Sequence, residues 1–122
     1  MTLAPDIHSR FETILREPLG ETGELRQALA AFAADARRQA ADGLDLDTAL
    51  LGRIEDTLET MLKRVSRKTT PLHHRLIHAT TRFCTLGPDQ GRPLDDRRLA
   101  ADVSVVNECA RVIRRPELTI RR

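Results

Sequence analysis

Apolar residues recur every three or four positions in five stretches of this chain, which is the spacing of one face of an α-helix. The first stretch covers about residues 5–16, where Pro5 suits the first helical turn and Pro18 and Gly20 end the pattern. Its apolar face consists of Ile7, Phe11, Ile14 and Leu15. The chain therefore begins with a predicted short amphipathic helix.

The second and third stretches predict longer helices. Thr22 is the expected N-cap of the second helix and Gly43 its expected end. Its narrow apolar stripe consists of Leu25, Leu29, Phe32, Ala36 and Ala40. The third helix is expected to be capped by Asp45 or Asp47, and Gly52 inside it suggests close packing against a neighbour. Its wide stripe consists of Leu50, Leu51, Ile54, Leu58, Met61, Leu62 and Val65.

The fourth stretch, "TPLHHRLIHATTRFC", covers residues 70–84. Thr70 suits the N-cap and Pro71 the first helical position. The side predicted to be buried consists of Leu72, Leu76, Ile77, Ala79, Phe83 and Leu86. The segment "GPDQGRP" then predicts a loop, because two Gly and two Pro occur in seven residues.

The fifth predicted helix begins at Asp95 or Asp96 and ends before Pro116. Its apolar positions are Leu99, Val103, Val106, Ala110 and Ile113. For the tail, residues 116–122, the sequence leaves a flexible end and a short strand both open. We therefore expect an all-α fold: one domain over residues 1–122, a compact bundle of about five helices with short loops.

Composition narrows the class of protein. Hydrophobic residues make up 40% of the 122 residues and charged residues 31%, which is typical of a globular chain. No stretch approaches a membrane span, and "MTLAPDIHSR" does not resemble a signal peptide. Two cysteines do not form a disulfide framework. We expect a cytoplasmic protein with reduced thiols.

Charge is unevenly distributed along the chain. Residues 1–62 hold twelve Asp and Glu against six Arg, whereas residues 63–122 hold fourteen Lys and Arg against six acids. This basic half could bind a polar partner surface. The candidate partner-binding residues are Arg64, Arg67, Lys68, Arg75, Arg82, Arg111, Arg114 and Arg115.

Histidines in the fourth helix raise the question of a metal site. His74 and His78 are four residues apart, so both would project from one helix face and could share a metal ion, although Arg75 between them disfavours a divalent cation. A third ligand would have to come from Asp89, Asp95, Asp96, His73 or Cys109. We expect instead that both rings are half exposed beside the buried stripe, and that the protein holds no metal or cofactor.

A catalytic cysteine would need a lowered thiol pKa. Cys84 comes late in the fourth helix, where the negative end of the helix dipole raises the pKa of a thiol, and Cys109 falls at a position next to the core. Both are expected to be small buried residues. The chain also contains no phosphate loop, dinucleotide fingerprint, G-x-S-x-G motif or zinc-finger spacing.

The segments "HHRLIHATTRFCTLGPDQ" and "DDRRLAADVSVVNECARVI" resemble the YkvA-like family of small helical domains of unknown function, over about residues 70–118. The matching residues are Ala79, Phe83, Pro88, Asp89, Asp102, Val105, Val106 and Asn107. Where the family has an aspartate pair before its last helix, this chain has "AAD", which leaves Asp102 alone. The resemblance implies a helical architecture and no particular activity.

These observations favour a non-enzymatic module that binds another protein or a second copy of itself. Nucleic-acid binding by the basic half is the alternative, although the chain lacks Trp and Tyr for stacking on bases and its first half is acidic. A small enzyme or a metal-dependent protein is the third possibility. We expect no enzymatic activity.

Overall fold

The computed structural model describes residues 3–18, 20–87 and 90–121. Its α-helices are α1 (Pro5–Leu15), α2 (Thr22–Ala41), α3 (Thr48–Lys63), α4 (Pro71–Thr85) and α5 (Asp96–Val112), and a 3-10 helix follows at Pro116–Leu118. The described ranges contain no strand. The prediction of an all-α bundle of about five helices is confirmed.

Helix α4 lies at the centre of the bundle and packs against each of the other four helices. Residues 76–81 are all buried, so this part of α4 has no face toward water. The hydroxyls of Thr80 and Thr81 donate within the helix, to Leu76 O at 2.7 Å and Ile77 O at 3.0 Å. Polar residues of α4 are therefore buried together with the apolar ones.

Aliphatic side chains from all five helices form the core, and Ile120 from the C-terminal segment joins them. Phe11 and Phe83 meet edge to face in this core, with ring centroids 6.3 Å apart. The largest fully buried members besides the two Phe are Leu58, Met61, Leu62, Leu99, Val105 and Val106. The hydrophobic effect of burying these side chains is the main force that holds the helices together.

Side-chain oxygens cap three of the helices as the sequence predicts. Asp47, Thr70 and Asp95 accept hydrogen bonds from the main-chain N–H three residues further on, at the starts of α3, α4 and α5. The prediction for Thr22 is wrong, because it is the first residue of α2, a helix without a side-chain cap. Its hydroxyl lies 3.0 Å from Nε2 of His78 instead.

Two further predictions about the helices are wrong. Leu72 is 57% exposed, because it lies in the first turn of α4, ahead of the section that the other helices surround. Gly52 is not in a tight contact: a Cβ added there would meet only the flexible end of Arg37, at 3.7 Å. The structure therefore gives no packing reason for a glycine inside α3.

The C-terminal segment folds onto the bundle. After the 3-10 helix the chain is extended, and Ile120 is only 6% exposed. The Asn107 side chain donates to Ile120 O at 3.0 Å and accepts from Ile120 N at 2.7 Å. Of the two expected forms, the strand is not found in residues 116–121.

Candidate functional site

Two buried arginines and one buried aspartate meet where α4 ends and α5 begins. Arg92, Arg98 and Asp102 are each at most 6% exposed. Nη1 of Arg92 donates to Oδ1 of Asp102 at 2.7 Å, and Nε of Arg98 lies 3.6 Å from Oδ2 of the same carboxyl. We call these three residues the arginine cluster.

The charges of the arginine cluster do not balance. Burial raises the pKa of the Asp102 carboxyl to about 6, although the two guanidiniums act in the opposite direction. The carboxyl is therefore ionised at neutral pH. Burial lowers the pKa of the Arg98 guanidinium. The group remains charged, because the ordinary pKa of a guanidinium is very high. Two positive charges thus share one negative charge inside the protein.

The same guanidiniums cap the C-terminal end of α4. Arg92 donates to Phe83 O at 2.6 Å, and Arg98 donates to Cys84 O at 2.8 Å. Carbonyls in the last turn of a helix have no partner within the helix, and positive charge is favourable at that end. The arginine cluster therefore attaches the loop and α5 to the end of α4.

Aromatic rings cover the two guanidiniums. The guanidinium carbon of Arg92 lies 4.0 Å from the ring centroid of Phe83, and that of Arg98 lies 4.4 Å from the centroid of Phe32. Arg92 and Arg98 are not among the residues predicted from the sequence, because neither belongs to a motif. A usable signal was their position after the predicted fourth helix, with Arg92 in the loop and Arg98 in the first turn of the next helix.

The described residues on which the YkvA-like resemblance rests lie in the core, near the arginine cluster or beside the C-terminal segment. Phe83 and Asp102 belong to the surroundings of the arginine cluster, and Asn107 holds the C-terminal segment. The other described residues, Ala79, Val105 and Val106, are buried in the core. Pro88 and Asp89 lie outside the described residues.

Both cysteines are buried and free. Burial raises the pKa of the Cys109 thiol to about 11, and burial followed by the charge of Asp102 raises that of the Cys84 thiol well above its ordinary value. Neither thiol is ionised at neutral pH, so neither is an activated nucleophile. For Cys84 the main cause is burial, whereas the sequence suggested the helix dipole.

His74 and His78 do meet on one face of α4. Their Nε2 atoms are 3.0 Å apart, and their rings are almost perpendicular, at 83°. The expectation that both are half exposed is wrong for His78, which is only 2% exposed because it lies in the central section of α4. Burial, then the electrostatic influence of His74, lowers the pKa of His78 to about 4.

The polar contacts of the histidine pair meet at Nε2 of His78. Only one proton fits between two ring nitrogens 3.0 Å apart, so at least one imidazole is neutral. The hydroxyl of Thr22 also lies 3.0 Å from Nε2 of His78, and because one ring nitrogen carries a single proton or a single lone pair, Thr22 and His74 compete for it. His78 is therefore a buried neutral histidine with polar neighbours.

Candidate third metal ligands do not join the histidine pair. Asp95 caps α5, Asp96 accepts from Asp47 N at 2.9 Å, and Cys109 is buried in the core. Asp89 lies outside the described residues. Among the residues that the structure describes, no three His, Cys, Asp or Glu side chains are grouped so that they could hold a metal ion.

Several of the candidate partner-binding arginines are used within the chain. Arg75 donates to Leu15 O and Glu17 O, at 3.0 and 3.1 Å, and Arg82 pairs with the Glu17 carboxylate. These bonds fix the segment between α1 and α2. Arg111 pairs with Glu108 three residues before it. Arg75 and Arg82 are therefore only partly exposed.

Three other candidates come together in one cavity. Arg64 at the end of α3, Lys68 before α4 and Arg115 after α5 line a space of about 250 Å³, together with His73. The apolar part of the lining consists of Met61, Ile77, Ile113 and Leu118. We call this the junction pocket, because the ends of three helices meet there.

Local main-chain structure places the basic residues around the junction pocket. Lys68 lies in a turn in which Ser66 N donates to the Thr69 hydroxyl at 2.9 Å. At the end of α5, Arg114 has a left-handed backbone, with φ of 60°. Arg115 N then donates to Ala110 O at 2.9 Å, and the chain turns back toward α4.

The remaining candidates, Arg67 and Arg114, are exposed and do not line the junction pocket. Glu117 lies 3.6 Å from Arg64, and both side chains are about half exposed, so this surface pair contributes little to stability.

No helix in the described part of the chain is long and apolar enough to cross a membrane. Comparisons with models of protein families, with curated proteins and with solved structures give no match to this chain.

Proposed function

We propose that this chain is a non-enzymatic helical module that binds an acidic segment of a partner protein at the junction pocket. The observation that supports the proposal best is that the fold brings Arg115 beside Arg64 and Lys68, which lie about fifty residues earlier, around one cavity. Cations that come together from distant parts of a sequence form a more specific feature than a row of charges along one helix.

The size and chemistry of the junction pocket suit a short peptide segment. A cavity of about 250 Å³ accepts one or two side chains and is too small for a drug-sized molecule. Its apolar lining suits an aliphatic side chain, while its basic residues suit carboxylates on either side. The N-terminus of α4, at Thr70, adds the favourable end of a helix dipole.

Aromatic content argues against nucleic acid as the main partner. Binding of single strands depends on stacking of bases against exposed rings. The chain has three Phe and neither Trp nor Tyr, and all three Phe rings are occupied: Phe11 and Phe83 in the core, Phe32 beneath Arg98. The predicted basic surface is also reduced, since Arg75, Arg82 and Arg111 bind groups of their own chain.

A fluorescence-anisotropy titration tests this proposal. The probe is a labelled octapeptide of sequence EELEELEE, and its control is QQLQQLQQ. We expect the variant Arg64→Gln/Lys68→Gln/Arg115→Gln to weaken binding of the acidic octapeptide by about tenfold or more. The matched variant Arg67→Gln/Arg111→Gln/Arg114→Gln removes the same charge from the same half of the chain and should weaken it far less.

Equal losses for the two triple variants would mean unspecific attraction by net charge and would refute the junction pocket as the site. Tighter binding of a 20-nucleotide single-stranded DNA than of the octapeptide would favour the nucleic-acid alternative. For self-association, the groove between α2 and α3 offers the carboxylate of Asp56 to a second copy, while its Glu55 and Glu59 are paired with Arg37 and Arg26. Sedimentation would detect self-association as an oligomer that the wild type forms and the variant Arg64→Gln/Lys68→Gln/Arg115→Gln does not form.

A further inference from the structure

A second and larger cavity lies at the other end of α5 from the junction pocket. Its volume is about 560 Å³, and it lies between α1, residues 91–95 and the first turns of α5. Volumes of this size are typical of sites for small organic ligands. We call it the arginine cavity.

Part of its lining is the arginine cluster. Arg92 and Arg98 border the cavity and are almost fully buried. They share the single carboxylate of Asp102, so this wall carries an excess positive charge. The carbonyls of Phe83 and Cys84 that they bind offset this charge only in part, and an anion in the adjoining cavity would offset more of it.

Two exposed arginines stand on the water side of the same cavity. Arg10 comes from α1 and Arg97 from α5. Arg10 is held in place, because Nη1 donates to Gln90 O at 3.0 Å. A Cβ on Gly91 would lie 3.4 Å from the Arg10 guanidinium, and Gly91 has φ of 82°, so a glycine is needed where the loop passes Arg10.

Acidic residues offset these charges only in part. Asp6 and Asp95 also line the cavity, against four arginines. The Asp95 carboxylate already accepts from Arg98 N at 2.7 Å, as the cap of α5. With Asp102 counted, three carboxylates offset four guanidiniums, so the balance of charge around the cavity is positive by one, and the guanidiniums come from three separate segments.

Apolar residues complete the wall, chiefly Ile7, Phe83, Pro93, Ala100 and Ala101. A purely inorganic anion would leave this surface in contact with water. A ligand with a ring or a short aliphatic body would cover it, because apolar surface is buried at a gain in free energy. Alanines at positions 100 and 101 leave the space open.

We propose that the arginine cavity binds a small organic anion, with its carboxylate or phosphate beside Arg10 and Arg97 and its apolar body against Ile7, Pro93 and Ala101. Guanidinium groups recognise both kinds of anion by paired hydrogen bonds. This site is independent of the junction pocket, and either proposal can fail without the other.

The test is calorimetric titration of the wild-type protein with two probes, phenyl phosphate and benzoate. Benzamide and inorganic phosphate are the controls, since each keeps only one half of the recognised chemistry. We expect at least one of the two probes to bind saturably. Inorganic phosphate should bind at least about fivefold more weakly than the preferred probe, and benzamide should not bind. Comparison of the two probes shows whether phosphate or carboxylate is preferred.

Three variants locate the binding. Arg97→Gln should lower the affinity for the preferred probe by about tenfold. Ala101→Leu should abolish binding, because the larger side chain fills the cavity without changing its charge. Arg67→Gln, an exposed arginine outside the cavity, should leave affinity unchanged. Thermal unfolding checks that each variant is folded. Absence of saturable binding of both probes by the folded wild type would overturn the proposal, as would equal affinity in the wild type and Ala101→Leu.

Discussion

Arg92 and Arg98 bind each other's main chain. The Arg98 guanidinium donates to Arg92 O at 2.9 Å, and the Arg92 guanidinium donates to Arg98 O at 3.4 Å. Each arginine also donates to a carbonyl in the last turn of α4. The pair thus closes the connection between α4 and α5 by hydrogen bonds between charged side chains and buried carbonyls.

Replacing Arg98 should test how much these bonds contribute. Arg98→Met leaves the carbonyls of Arg92 and Cys84 without that partner, and each buried carbonyl left unpaired costs about 1–3 kcal/mol. We expect the free energy of unfolding, measured by urea denaturation, to fall by about 2–4 kcal/mol. The neighbouring Arg97→Met, at an exposed position, should change it by about 0.5 kcal/mol or less. Similar losses in both variants would contradict this role of Arg98.

His78 should make stability depend on pH. Its pKa is lowered to about 4 in the folded protein, against about 6.5 in an unfolded chain, so the unfolded state binds more protons between these values. The contribution of His78 is complete above pH 6.5 and is lost as the pH falls toward 4, by about 3 kcal/mol in all. The stability difference between wild type and His78→Gln should shrink by that amount over this range.

Urea titrations at several pH values from about 7.5 to 4 measure this difference. His8→Gln, on the partly exposed surface of α1, is the control, and the pH dependence of the wild type should survive it. If His78→Gln kept the wild-type pH dependence too, the buried neutral state of His78 would be refuted. Comparing variants is necessary, because Asp102 also titrates in this range, with a pKa of about 6.

Arg114 should be a source of strain. Its φ of 60° is the left-handed conformation that glycine usually supplies after a helix end. Arg114→Gly should therefore raise the free energy of unfolding by about 1 kcal/mol. Arg114→Ala, which also removes the guanidinium but keeps Cβ, should leave stability nearly unchanged. An equal gain in both variants would show that charge, rather than backbone strain, is responsible.

Gly52 offers a second stabilising substitution. A Cβ at this position of α3 meets nothing closer than the Arg37 guanidinium, at 3.7 Å. Gly52→Ala should raise the free energy of unfolding by up to about 1 kcal/mol, because alanine restricts the unfolded chain and favours a helix. Gly43→Ala is the contrasting control: its φ of 112° should make the same change destabilising. Destabilisation by Gly52→Ala would instead indicate the tight packing that the sequence suggested.

The sequence predicts the helices of this chain well, because their stripes, caps and breaks are local features. Asp47, Thr70 and Asp95 cap their helices from single positions, with no help from distant residues. The burial of His78, unlike the helix caps, is not a local feature of the sequence. It depends on α4 lying in the centre of the bundle, and the periodicity of one helix says nothing about how many neighbours surround it.

The candidate sites depend still more on distant contacts. Arg64, Lys68 and Arg115 are found by their charge, but only the fold brings the third beside the other two. Arg75 and Arg82 look equally available in the sequence and turn out to bind the segment after α1. Arg92 and Arg98 were missed altogether, since a buried arginine differs from a solvated one only in its surroundings.

Binding of an acidic partner segment at the junction pocket is tested most directly by mapping where such a segment touches the protein. Isotope-labelled protein would be titrated with the octapeptide EELEELEE while the amide resonances are followed by NMR. We predict saturable shifts concentrated in residues 64–73 and 113–118, and their loss in the variant Arg64→Gln/Lys68→Gln/Arg115→Gln. Shifts spread over the whole surface, or concentrated at Arg10 and Arg97 instead, would contradict the proposed function.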